Sequence, residues 1–206
     1  MIRTVQSGYD ELAPRFGEWM ARVEGDPWEQ FVEKLERLSP QGSGGRLLDL
    51  GCGGGFKTKR LAKRFEVVGV DVSEEQLRLA RAEVPDATFV RADLAKLEVP
   101  AGSFDAVTAF YSIIHVARAQ HAALFGKIKR WLRPGGLFLA SLSHTGGPDR
   151  TEEWLGVEMF FSGFSAETNR RLVREAGFEL VHDEVVTMKE PEGDATFLWV
   201  LAEKLS

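Results

Sequence analysis

Leu47-Leu48-Asp49-Leu50 runs straight into Gly51-Cys52-Gly53-Gly54-Gly55, and a basic helical pattern from Lys57 to Arg64 follows. The first four residues read as a short buried strand. The glycines behind them let the backbone turn sharply and approach a ligand closely. The segments that follow keep this alternation of short apolar runs and amphipathic helices. Val67 to Val70 is a second strand, and Ser73-Glu74-Glu75-Gln76 is a capping box that opens a helix through Leu77, Leu79 and Ala80. Ala87 to Arg91 and Phe104 to Phe110 are a third and a fourth strand. A helix carrying Leu124, Phe125, Ile128, Trp131 and Leu132 ends at Pro134-Gly135-Gly136, and Leu137 to Leu142 is a fifth strand.

Strands that are apolar throughout and alternate with helices belong to a parallel sheet covered on both faces. The tail breaks the pattern. After a helix from Ala166 to Ala176, stopped by Gly177, the β-rich runs Leu180 to Met188 and Ala195 to Ala202 flank Pro191-Glu192-Gly193-Asp194, which reads as a hairpin. The fold class is therefore α/β: a doubly wound, mostly parallel sheet of seven strands, the last one antiparallel. Ahead of it lie helices. Asp26-Pro27-Trp28-Glu29 is a helix start, with Asp26 as cap, followed by the stripe Trp28, Phe31, Val32, Leu35 and Leu38. Tyr9, Leu12, Phe16, Trp19 and Met20 form a looser stripe before it. Ser39-Pro40-Gln41-Gly42-Ser43-Gly44-Gly45 breaks any helix between the two parts.

Composition narrows the function. Of 206 residues 44% are hydrophobic and 28% charged, which excludes global disorder. A net charge of −5 argues against nucleic acid as the main partner. The single cysteine, Cys52, has no internal disulfide partner and reads as a small filler between glycines, in keeping with a cytoplasmic setting. No run of apolar residues reaches the roughly 18 to 20 needed for a membrane span, and the N-terminus lacks the apolar core of a secretory signal.

In a doubly wound sheet the ligand crevice lies at the carboxyl ends of the strands, where the glycine loop is delivered. Asp71 ends the second strand, 22 positions after Asp49, and a carboxylate there can accept hydrogen bonds from both ribose hydroxyls of a nucleoside. A dinucleotide fingerprint requires a third glycine, and that position holds Phe56 or Thr58, depending on register. The Gly-Lys-Ser/Thr of a triphosphate loop is also missing. A nucleoside ligand without pyrophosphate fits better.

Leu48-Asp49-Leu50-Gly51-Cys52-Gly53-Gly54-Gly55 resembles motif I of the class I, Rossmann-like S-adenosylmethionine-dependent methyltransferases. Gly69-Val70-Asp71-Val72-Ser73, Arg91-Ala92-Asp93-Leu94, Phe104-Asp105-Ala106-Val107 and Leu132-Arg133-Pro134-Gly135-Gly136 follow in that family's order. The resemblance implies a methyl transfer from S-adenosylmethionine to a small-molecule acceptor, with S-adenosylhomocysteine as the product. It implies that Gly51 and Gly53 pass close to the cofactor's amino-acid part and that Asp49 lies near its ammonium. Asp71 would take the ribose, Val72 would lie against adenine, Asp93 and the Leu94 backbone would read the adenine edge, and Phe110 would lie beside the sulfonium end. On that basis residues 1–206 form one methyltransferase domain. It comprises a helical lid (1–40), a cofactor-binding core (46–143), an acceptor-side loop (144–164) and a helix plus β-hairpin (165–206).

A methyl on sulfonium is already activated, so alignment supplies much of the acceleration and a base is needed only where the acceptor must lose a proton. His115 after the fourth strand and His144 after the fifth are candidate bases, and Tyr9 can reach over the crevice from the first helix. A base histidine would give a rate limb near the usual pKa of about 6.5. No metal site is expected. Thr145 to Phe164, with Trp154, Met159, Phe160, Phe161 and Phe164, reads as a long ordered loop walling the acceptor pocket with the N-terminal helices. Two other readings stay open on these residues alone: a nicotinamide-dependent oxidoreductase on a similar sheet, and a non-catalytic adenosyl-ligand-binding module. A protein or RNA methyltransferase is a third, disfavoured for RNA by the charge. The acceptor and the oligomeric state are not legible.

Overall fold

Successive side chains of a strand point to opposite faces, and Leu47 and Leu48 use this to enter two different cores. The structure, a computed structural model, describes residues 1–39 and 44–205. In chain order, α1 (Ile2–Met20) and α2 (Trp28–Leu38) precede β1 (Gly45–Leu50), α3 (Phe56–Leu61), β2 (Phe65–Asp71), α4 (Glu74–Glu83) and β3 (Thr88–Arg91). Then come β4 (Phe104–Ala109), a 3₁₀ turn (Ile113–His115), α5 (Arg118–Trp131) and β5 (Leu132–Ser143). The chain closes with β6 (Arg150–Trp154), β7 (Val157–Phe161), α6 (Ala166–Glu175), β8 (Phe178–Glu190) and β9 (Gly193–Lys204).

Seven strands form one sheet in the order β3-β2-β1-β4-β5-β9-β8. β1 to β5 pair in parallel, and β9 runs antiparallel to both β5 and β8. The expected doubly wound sheet with an antiparallel finish is thus present. Trp28, Phe31, Val32 and Leu35 of α2 pack on the Leu47 face, together with Leu61 of α3. Leu124, Phe125, Ile128 and Trp131 of α5, with Val173 of α6, pack on the Leu48 face. Leu38, the last residue of the expected stripe and of α2, is half exposed instead and stays outside the apolar cluster that Phe31, Val32 and Leu35 join.

Three expectations change in detail. The helix after the glycine loop stops at Leu61, not Arg64. β5 begins at Leu132, and its pairing with β4 jumps from Phe104↔Leu132 to Ala106↔Leu137, so Arg133 to Gly136 form an irregularity inside the strand. The segment 144–164 is not a loop: β6 and β7 make an antiparallel hairpin outside the main sheet. Val157, Met159 and Phe160 of that hairpin bury Val5 and Leu12 of α1. Each such aliphatic burial is worth about 1.5–3 kcal/mol, which holds α1 over the sheet. Most of the expected break at 39–45 lies outside the described residues. Among the described residues no helix is long and apolar enough to cross a membrane.

Candidate active site

β1 sits between β2 and β4, so the chain runs outward from it in both directions and leaves a crevice at the carboxyl ends of β1 and β4. A cavity of about 770 Å³ occupies this crevice, a size usual for small-ligand sites. The glycine loop and the ends of β2 and β4 make its floor, and Val5, Tyr9, Phe16 and Met20 of α1 make its roof.

The loop has its shape for steric reasons. Gly51 holds φ at +74°, and a Cβ there would lie 2.3 Å from Ser112 Cβ, so no other residue fits. Gly51 and Cys52 both donate their N–H to the Val70 carbonyl, at 2.7 and 3.1 Å. Asp71 accepts the Gly53 N–H at 2.9 Å on one oxygen and the Ser73 N–H at 2.9 Å on the other. It thereby ties the loop to the start of α4. Burial pushes its carboxyl above the usual value, against the pull of those N–H groups.

Val72, Asp93 and Leu94 continue the cavity wall on the β2–β3 side, and Phe110 continues it on the β4 side. Asp93 accepts the Ala95 N–H at 3.0 Å, which turns the chain after β3. Asp49 also lines the cavity, at the end of β1. It is only 1% exposed, and its two oxygens accept the Thr58 and Thr108 hydroxyls, each at 2.7 Å. Its carboxylate braces β1 against α3 and β4.

The residues present fit a nucleoside-bearing cofactor. The Gln76 side-chain nitrogen is buried beside the glycine loop without a protein partner, an orphaned donor on the cavity wall. With Asp71 next to it and Val72 and Leu94 as apolar walls, the β2 side offers one polar edge and one flat apolar slot.

Opposite them, the Tyr9 hydroxyl lies 3.0 Å from His115 Nε2. His115 Nδ1 is 2.7 Å from the Phe160 carbonyl, which only accepts, so Nδ1 carries the hydrogen and Nε2 accepts from Tyr9. Burial lowers the His115 pKa to about 4, although the Phe160 carbonyl favours the charged form. Burial, with Asp71 and Glu190 adding negative charge, raises the Tyr9 pKa well above its usual value. The pair is therefore neutral, with the proton on tyrosine.

His144, the other expected base, is not among the residues lining the cavity. It lies at the start of the hairpin segment, where its carbonyl accepts the Ala166 N–H. The hairpin aromatics also differ from expectation. Trp154 packs on Tyr9, Phe16 and Trp19 and supports α1 from behind instead of walling the pocket. The cavity is also lined by Asp26, Lys57 and Tyr111, to which the sequence gives no site role. Their one local signal is position, since Lys57 directly follows the glycine loop and Tyr111 the end of β4.

Residues 47–136 match the family model described as a methyltransferase domain. An uncharacterized methyltransferase of Synechocystis is 33% identical over 147 residues, covering 67% of this chain and 68% of that protein. A trans-aconitate 2-methyltransferase of Acidovorax is 36% identical over 124 residues, covering 59% of this chain and 46% of that protein. The chain thus spans about half the length of some curated relatives it matches. The 1,6-didemethyltoxoflavin-N1-methyltransferase of Burkholderia thailandensis, solved with S-adenosylhomocysteine bound, shares the fold at a TM-score of 0.73 and 20% identity, covering 98% of this chain and 87% of that one. This chain belongs to the class I methyltransferases, whose cofactor is S-adenosylmethionine.

Proposed function

We propose that this protein methylates a small, largely apolar molecule at an oxygen or nitrogen that carries a hydrogen. The Tyr9–His115 hydrogen bond facing the cavity carries this reading. Because the Tyr9 proton is committed to His115, the Tyr9 oxygen offers lone pairs to the cavity. An acceptor O–H or N–H donating to Tyr9 is held with its own lone pair turned elsewhere, free to attack. Asp71 and Gln76, with the walls Val72 and Leu94, would hold the adenosine part of the cofactor, with Asp93 at the adenine edge. When bound, S-adenosylmethionine supplies a methyl group activated by its positive sulfur. Phe16, Met20 and Phe110 exclude water from the space between Tyr9 and the glycine loop.

His115 with a pKa of about 4 is too weak a base to remove the proton beforehand, so Tyr9 and His115 orient the acceptor; its proton leaves as the new bond to methyl makes it acidic, passing to the Tyr9 oxygen while Tyr9 passes its own to His115 Nε2. Alignment alone suits a reaction whose leaving group is already activated. The relatives named for trans-aconitate and 1,6-didemethyltoxoflavin support a small-molecule acceptor. The test is incubation with S-adenosylmethionine and a fractionated metabolite extract, followed by a mass search for added methyl groups. New methyl ethers or amines would support the reading, and methyl esters only, or methylation confined to added protein or RNA, would refute it.

A further inference from the structure

Lys57 enters the cavity from the first turn of α3, and among the described residues that line the cavity it is the only lysine or arginine. Its side chain is 11% exposed, and its ammonium donates to Asp26 Oδ2 at 2.8 Å. The ammonium also stands 4.8 Å from the ring centre of Tyr111 and 5.2 Å from that of Trp28. Asp26, 9% exposed on its side chain, accepts the Tyr111 hydroxyl at 2.7 Å and the Trp28 N–H at 3.1 Å. Tyr111 itself is held at φ +55°, and its N–H donates to Ser141 Oγ at 2.7 Å. Backbone held in the left-handed region by a bulky residue concentrates at functional sites.

A buried ion pair is seldom a better stabiliser than apolar side chains of the same volume, so fold stability gives little reason for one in a cavity wall. Ligand chemistry gives a better one. A simple anion approaching Lys57 would meet Asp26, and a simple cation approaching Asp26 would meet Lys57. An α-amino-acid group, with ammonium and carboxylate on one carbon, satisfies both and leaves no charge unpaired. The cofactor's methionyl end is such a group. Asp49, the acid expected to meet its ammonium, has both oxygens engaged by hydroxyls.

We propose that the Lys57–Asp26 pair, buttressed by Tyr111, receives the α-amino-acid end of the cofactor: Lys57 its carboxylate and Asp26 its ammonium. The assignment rests on the family's use of S-adenosylmethionine. Calorimetry with S-adenosylhomocysteine and with 5′-methylthioadenosine, which lacks the amino-acid end, tests it. The variants are Lys57→Met and the charge-neutral double variant Lys57→Met/Asp26→Asn, which keeps an oxygen for Trp28 and Tyr111. Thermal melts confirm that each is folded. The parent should bind S-adenosylhomocysteine the more tightly of the two. Either variant should lose about 10- to 100-fold in that affinity while 5′-methylthioadenosine stays within about twofold, as expected for charged hydrogen bonds. Unchanged S-adenosylhomocysteine affinity with a raised KM for the acceptor overturns the proposal and assigns the pair to the acceptor's head. Equal losses for both ligands overturn it in favour of a role in shaping the cavity. A parent that binds neither ligand removes the cofactor assignment itself.

Discussion

The hydroxyl of Tyr9 reaches His115 Nε2 at 3.0 Å, and the Phe160 carbonyl on the far side of the ring fixes which partner donates. Three elements meet there: α1 brings the phenol, the turn after β4 brings the imidazole, and β7 brings the carbonyl. A histidine base titrating near 6.5 was the expectation for His115. Removing the ring from water penalises its charged form and keeps it neutral at physiological pH.

Tyr9→Phe removes the oxygen proposed to orient the acceptor while leaving the glycine loop and Asp71 intact. We expect kcat to fall about 10²-fold, the scale of a misaligned reactant, with S-adenosylhomocysteine affinity unchanged. Steady-state rates and calorimetry on the same preparations check both halves.

The kcat of the parent should show no histidine limb between pH 5 and 8, because His115 takes up a proton only near pH 4. A limb near 6.5 that disappears in His115→Ala would show that the ring is solvated during turnover.

The same shift makes stability depend on pH. Between pH 6.5 and about 4 the unfolded chain protonates His115 and the folded chain does not, so stability falls as pH falls through that window. The full effect is about 3 kcal/mol and is lost in His115→Asn, whose stability should vary less over the same range. Urea melts of both proteins at pH 7 and 4.5 give the difference.

Asp71→Ala should weaken S-adenosylhomocysteine binding by about 1–3 kcal/mol, as it removes the carboxylate proposed to take the ribose hydroxyls. It also releases the Gly53 and Ser73 N–H groups that Asp71 holds. Asp71→Asn keeps an oxygen for one of them and should lose less. Equal binding by parent and Asp71→Ala would displace the ribose from this end of β2.

Gly8 lets α1 lie flat on the β6–β7 hairpin. A Cβ there would come within 2.7 Å of Met159 Cε and 3.2 Å of the Glu158 carbonyl. Gly8→Val should therefore wedge α1 outward and destabilise by about 1–3 kcal/mol, the usual range for overpacking. Acceptor turnover should drop further than cofactor affinity, since Tyr9 lies one residue along the same helix. Denaturant melts and turnover assays separate the two effects.

What the chain's residues declared on their own was everything built from near neighbours. The glycine loop, Asp71 at a strand end and the Ser73 cap, which accepts the Gln76 N–H at 3.1 Å, are local patterns, so the sheet and the floor of its crevice were legible. The β6–β7 hairpin was not, because its turn is Leu155-Gly156 with both φ values positive, +52° and +77°, and leucine gives no sign of that conformation. Tyr9 and His115 are 106 positions apart, and only the burial of Val5 and Leu12 against the hairpin sets one above the other. Lys57 reads in the sequence only as the start of a basic helix. It is buried because Trp28 of α2 and Asp26, which precedes the Pro27 that caps α2 in place of the expected Asp26, dock against the start of α3, and such docking arises from packing across the whole fold, which no local pattern encodes.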